Sequence, residues 1–287
     1  MGKGNTVNIG HQDPLFGELE PAAKPVDPSS QQLSVLITVK AAPNPSVQYG
    51  ETVCVAGLST DLEQPRWIRL YPINFRYLEQ EISFSKYDIV EVDAFPSTKD
   101  PRAESWRPRM ETLRVTRHLK AWKPRRALLD PVVEPSMCAV FRRASADVSA
   151  PSLALISALR VDDLEIKPHP GWTRDEQLKI DRYVNQLELF PGQDKSPLLA
   201  PRFRGVYRWR CHEPGCRGHR QGIIDWEFTA LQRKLRHLDD VQSVQALKKR
   251  FLTEICHSGR DLAFYVGNQA KRHQTFSILG AYYPGDK

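Results

Sequence analysis

The chain has 287 residues, enough for one large core or two modest ones, with 40% apolar and 26% charged residues, as in a globular protein. Its 22 prolines argue against an all-helical fold and for many short elements joined by ordered connections. The formal charge of +7 is concentrated: Pro201 to Lys287 holds 16 Lys and Arg against 8 Asp and Glu, so a polyanionic partner would meet the C-terminal part.

Residues 1 to 32 are polar and proline-rich without periodicity, and read as a flexible leader. Order begins at "LSVLITVKA", rich in β-branched residues, and continues through "ETVCVAGL", "PRWIRLYPI", "KYDIVEVDAF" and "METLRVTRHL". Short strands separated by turn-rich loops predict an antiparallel barrel over residues 33 to 120. From 121 to 200 the pattern predicts a connecting or second small β module: "RRALLDPVVEPSMCAVFRRAS" as one helix or two, "SLALISALRVDDLEIKP" as strand, turn and strand, and "TRDEQLKIDRYVNQLELF" as a helix or a long link. "PGQDKSPLLAP" punctuates the chain, and the domain boundary is placed there.

Beyond it, "RFRGVYRWRC" alternates strictly, with Phe203, Tyr207 and Trp209 on one face and Arg202, Arg204, Arg208 and Arg210 on the other. Two amphipathic helices follow, in "DWEFTALQRKLRHL" and "DDVQSVQALKKRFLTEI", then strands in "DLAFYVGN" and "TFSILGAYYP". The fold class is α+β: an OB-like antiparallel barrel, then a basic α+β domain over 201 to 287.

The segments "GETVCVAGL", "RWIRLYPINFR", "KYDIVEVD" and "DPRAESWRP", with "YRWRCHEPGCRGHRQGIIDWE" and "FYVGNQAKRHQTFSILGAYYP" later, resemble a group of largely uncharacterised bacterial proteins with dual oligonucleotide-binding-fold domains. The resemblance implies a barrel-like front half and a nucleic-acid context, of the kind met in bacterial defence or repair. It carries over no catalytic residue, so the candidate sites rest on chemistry alone.

The densest constellation is Cys211-x4-Cys216-x2-His219. Structural zinc takes four thiolate or imidazole ligands in a tetrahedron, and a tight turn at Pro214 and Gly215 lets one hairpin supply several of them. The fourth ligand is sought among His212, Cys256, His257 and His273, with Cys256 the best donor; the alternative is a pair of reduced thiols. Asp225 and Glu227, beside His219, are candidate catalytic groups that could hold Mg²⁺ or act as general acid and base. Against that, Asp225 directly precedes a helical pattern and the favoured reading makes it the N-cap, with Trp226 in the core, which leaves Glu227 as the chemical group.

Arginines mixed with aromatic residues suit single-stranded nucleic acid, with rings stacking on bases and guanidinium groups on phosphate. Trp67, Arg69, Tyr71 and Arg76, with Phe75 and Tyr77, form the front set; Arg204, Arg208 and Arg210 form the rear one. Asn268, Lys271 and Arg272 follow a strand, where base-edge contacts or a simple β-turn are the alternatives. The basic clusters in "RPRMETLRV" and "KPRRALL" read as solvated loops.

Five cysteines spread over the chain do not form a disulfide framework, and no apolar run approaches the roughly 20 residues of a helical membrane span. The expected compartment is the cytoplasm. The leading functional reading is a protein binding DNA or RNA, single-stranded or distorted. Alternatives are a nuclease or base-excising glycosylase acting through His219, Asp225 and Glu227, and an interaction module for an acidic protein.

Overall fold

A computed structural model describes residues 24–25, 27–60, 65–74, 84–185, 197–270 and 272–285. Most of the expected leader, with Phe75, Arg76, Tyr77 and Lys271, lies outside them.

The front half is built from β1 (Gln31–Lys40), β2 (Asn44–Ser46), β3 (Gly50–Ser59), β4 (Trp67–Asn74), β5 (Asp88–Pro96), β6 (Ser105–Pro108) and β7 (Arg114–His118). Five of these close into a barrel in the order β1-β3-β4-β6-β5 and back to β1. The closure is antiparallel except between β4 and β6, which run parallel with Arg69 opposite Ser105. That corrects the all-antiparallel expectation: β5 intervenes in sequence and pairs elsewhere, bringing β6 back in the direction of β4. The interior is filled by Leu33, Val35, Ile37, Val53, Val55, Val90 and Val92, the alternate positions of their strands.

The other half contains α1 (Trp122–Leu129), β8 (Val133–Glu134), α2 (Met137–Ala146), β9 (Leu153–Pro168), α3 (Arg174–Asn185), β10 (Phe203–Cys211), β11 (His219–Gly222), α4 (Trp226–Lys234), α5 (Asp240–Lys248), β12 (Ala263–Gln269) and β13 (Arg272–Tyr282). Its sheet runs β11-β10-β9-β12-β13, with β8 parallel to β9. It curls until Ile223, just beyond β11, bridges Ile278 of β13. α5 passes directly into a π-helical turn, Lys249–Glu254.

β9 is one strand of 16 residues, where a strand, a turn and a strand were expected. Its first part pairs with β12 and its second with β10, and bulges absorb the change of register. Asp162 and Asp163, which read as turn residues, are instead exposed or half-buried strand positions with Arg160 and Lys248 as ion-pair partners. Because β9 and β10 are sheet neighbours, strand pairing continues across the proline-rich stretch placed as the boundary. The two sheets instead divide between β7 and β8.

A third apolar cluster joins the halves. Leu36, Val39, Leu58 and Trp67 of the barrel pack with Leu153, Leu155, Tyr265 and Leu279 of the second sheet. Thus β1 is buried on both faces, one lining the barrel and the other the junction. α3 packs back on the barrel as a helix: Gly50 has φ +72°, and a Cβ there would stand 2.4 Å from the Tyr183 ring. No helix among the described residues is long and apolar enough to cross a membrane.

Candidate functional site

Four side chains converge where α2 meets the β10–β11 hairpin. Cys211 ends β10, Cys216 lies in the loop, His219 opens β11, and Cys138 comes from the first turn of α2. His219 Nε2 is 3.3 Å from Cys211 Sγ, 3.3 Å from Cys216 Sγ and 3.7 Å from Cys138 Sγ, and the Cys138 and Cys211 sulfurs are 3.8 Å apart. A zinc tetrahedron with ordinary bond lengths has edges of about 3.8 Å between sulfurs and about 3.6 Å from sulfur to nitrogen. The four donor atoms all lie within 4.8 Å of one another, so the set is already close to the size of a closed four-coordinate site.

Local structure sets those positions. The Ser136 hydroxyl caps α2 by accepting from Ala139 N at 2.9 Å, which fixes the helix start two residues before Cys138. Gly218, at φ +96°, turns the chain so that its N–H donates to Cys216 Sγ at 3.4 Å. Glu213 in the loop takes two hydrogen bonds from Arg142 of α2, at 2.6 and 3.0 Å, and holds the hairpin against the helix. Burial disfavours charge on Cys211, but hydrogen bonds from His219 and the surrounding backbone draw it down to about 6. Burial and the neighbouring Cys211 and Cys216 push Cys138 up to about 12. The pocket thus holds one thiolate readily and resists the next unless a cation neutralises them.

Cys256, the expected fourth ligand, is elsewhere. Its thiol donates to Phe251 O at 3.2 Å, and burial pushes it up to about 12. His212 points to Ser157, with Nε2 3.1 Å from Oγ. Neither His257 nor His273 joins the cluster. Cys138, 73 residues before Cys211, carried no local spacing signal.

The acidic pair separates by role. Asp225 is the N-cap of α4, its Oδ1 accepting from Glu227 N at 2.9 Å, and it is buried beside the barrel, where it bridges to Ala41. Both its carboxylate and the Lys86 ammonium face Gly280, and Lys86 Nζ donates to Ala281 O at 2.7 Å. Burial and the Glu227 carboxylate push Asp225 up to about 7, against the pull of Lys86. Burial would lower Lys86, but Tyr87, Glu227 and Asp225 around it hold it above the ordinary lysine range. His219 is committed to the thiols, so the three expected catalytic groups do not form one constellation. Among the described residues, Asp225 and Glu227 belong to no group of three or more potential metal ligands.

Of the front set, Trp67 and Arg69 are 6% and 5% exposed and belong to the junction between the halves. Trp67 meets Tyr265 edge-on, with ring centroids 6.3 Å apart. Arg69 donates to Cys54 Sγ and Ser152 Oγ. Among the described residues of this set, only Tyr71, at 44%, is exposed. Asn268 is buried too, its side chain donating to His273 O at 2.8 Å, while Arg272 is exposed.

The rear set is arranged as the alternation predicts: Phe203, Tyr207 and Trp209 are buried, and Arg204 and Arg208 are exposed. Arg208 lies in register between Asp163 and Arg220, and Arg204 opposite Lys167. Arg220 and Lys167 are tied to Glu165 at 3.0 and 3.6 Å. Arg204 and Arg208 have no ion-pair partner among the described residues. Arg210 turns back and donates to Cys216 O at 3.0 Å, so it supports the hairpin.

Comparison with known families finds two adjacent models. One, described as a domain of unknown function (DUF8758), matches residues 31–131, and another, described as a domain of unknown function (DUF8757), matches 133–287. Their meeting point coincides with the break between the two sheets. No curated protein matches the sequence.

Proposed function

The chain belongs to the family of the domain of unknown function DUF8757, which assigns no activity, and from its geometry we propose that it binds single-stranded nucleic acid on the outer face of β9, β10 and β11. The observation that carries this reading is the pair of exposed guanidinium groups of Arg204 and Arg208, without an ion-pair partner among the described residues, on the strand that leads directly into the Cys138–Cys211–Cys216–His219 cluster. Guanidinium groups on the outside of a sheet can follow a phosphate backbone, each contact releasing counterions.

Zinc is the ion we assign to the cluster, since three thiolates and an imidazole in a tetrahedron suit it better than oxygen-seeking ions. With four protein ligands the centre has no open position, and bound zinc supplies a structural cross-link. It would fix the hairpin that carries Arg208, Arg210 and Arg220. None of the five cysteines is in a disulfide, which fits a reducing cytoplasmic setting.

An OB-like reading of the front half is supported by a five-stranded closed barrel in Greek-key order. Its role here would be to brace the second sheet, because its expected ligand residues Trp67 and Arg69 are buried in the junction. Of the groups expected to be catalytic, only Glu227 is exposed, so a nuclease or glycosylase activity would depend on that carboxylate.

Fluorescence anisotropy with labelled DNA and RNA single strands, duplex and heparin as competitors, tests the reading. Single strands should compete best. Equal competition by heparin would assign the face to polyanions in general and overturn it.

A further inference from the structure

The outer surface of α4 and α5 holds a feature that the arginine face does not use. Glu227, Ala230, Leu231 and Lys234 recur at i, i+3, i+4 and i+7 and so share one face of α4. Across from them Ala246 of α5 is followed by Lys249, Arg250 and Glu254 of the π-helical turn. Between the two stripes lies an open groove of about 380 Å³, lined also by the buried Phe251. Two alanines leave the space that larger side chains would fill. The wide π-turn places Lys249, Arg250 and Glu254 along one wall, and such turns are frequent at functional sites.

The lining has three chemical parts. Lys234 and Lys249 are exposed, with no ion-pair partner among the described residues. Arg250 is held in place by Glu254 at 3.1 Å and by the Tyr283 hydroxyl at 3.0 Å. Glu227 and Glu254 offer acceptors, and Leu231, Ala230 and Ala246 an apolar floor. A bare anion would satisfy only the lysines. The carboxylates call for hydroxyl or amino donors, and the floor calls for an apolar body to carry them. Beside Glu227 lie the half-buried Lys86 and the buried Asp225, both near Gly280 and close enough for the three groups to influence one another's charge. An open groove of ligand size beside such a cluster is a candidate binding site.

We infer that this groove binds a nucleotide: its terminal phosphate monoester on Lys234 and Lys249, its sugar hydroxyl or base amino group on Glu227, and its flat body on Leu231 and the two alanines. The same chemistry is offered by a free mononucleotide and by the phosphorylated end of a strand. The site is separate from the arginine face and does not rest on that reading.

Titration calorimetry on the full chain tests it, using AMP, GMP, CMP and UMP, with adenosine and inorganic phosphate as partial ligands. At least one mononucleotide should saturate a single site, with both partial ligands at least tenfold weaker. Lys234→Ala with Lys249→Ala removes two charge-assisted contacts and should weaken binding by about tenfold or more. Ala246→Phe should block the groove. Both variants alter surface positions, and their melting temperatures should match that of the parent. Oligonucleotides with and without a 5′-phosphate separate the sources: a gain from the phosphate assigns the groove to strand ends, and binding of free nucleotides alone assigns it to those. An Arg204→Ala/Arg208→Ala variant should bind nucleotide undiminished. Absence of saturable mononucleotide binding, or binding unaffected by the groove variants, would overturn the inference.

Discussion

Arg69 Nη2 donates a 2.9 Å hydrogen bond to Ser152 Oγ, joining the barrel strand β4 to the residue that leads into β9. Around this contact Glu104 accepts from Ser152 N at 2.6 Å, Asn268 N donates to Ser152 O at 2.9 Å, and Arg102 donates to Asn268 O at 2.8 Å. The two halves are therefore joined by a buried polar network as well as by the apolar cluster around Trp67 and Tyr265.

Removing the hub should be costly. Arg69→Ala strips the cation from a buried site that holds Glu104, and a loss of roughly 3 kcal/mol or more is expected in chemical denaturation. Nucleic-acid affinity of the folded fraction should not change, because Arg69 faces the junction. A variant of normal stability and weakened binding would place Arg69 on the ligand surface after all.

The proposed zinc site separates Cys138, which lies in the cluster, from Cys256, the fourth ligand expected from the sequence, which does not. Protein purified without added metal should contain about one equivalent of zinc, Cys138→Ser should retain little of it and melt lower, and Cys256→Ser should keep its zinc. Elemental analysis and thermal melts of the three proteins decide this, and zinc lost with Cys256 rather than Cys138 would contradict the assignment.

Asp225 should make stability depend on pH. Its folded pKa near 7 lies above the ordinary 3.8, so the native state binds the extra proton between those values. This group's contribution therefore declines as pH rises from about 4 to about 7, by on the order of a few kcal/mol. Asparagine still caps the helix but does not titrate. Asp225→Asn should thus gain on the parent across that window, as measured by urea unfolding at a series of pH values; a constant difference would rule out the buried-carboxylate account.

Local sequence patterns made several of these features legible. Alternation in β10 sorted Tyr207 and Trp209 inward and Arg204 and Arg208 outward, and Asp225 before an apolar helical period marked the cap. Spacing brought Cys211, Cys216 and His219 together because a hairpin is a local object. What was not legible depends on distant pairing. Cys138 reaches the cluster only through the docking of α2. Trp67 and Arg69 share a strand face, but nothing local says that a second sheet covers it. The boundary misled for the same reason: proline and glycine mark a break in local order, and β9 pairs with β10 across it.

The most direct test of the nucleic-acid reading is the salt dependence of single-strand affinity for the parent and an Arg204→Ala/Arg208→Ala variant, with zinc content and melting temperature checked to be the same. Each phosphate contact on a single strand contributes about 0.7 to the slope of log affinity against log salt, so the variant's slope should be shallower by roughly 1.4. An unchanged slope, with the fold and the metal intact, would contradict the account and remove the outer face of β10 from the binding surface.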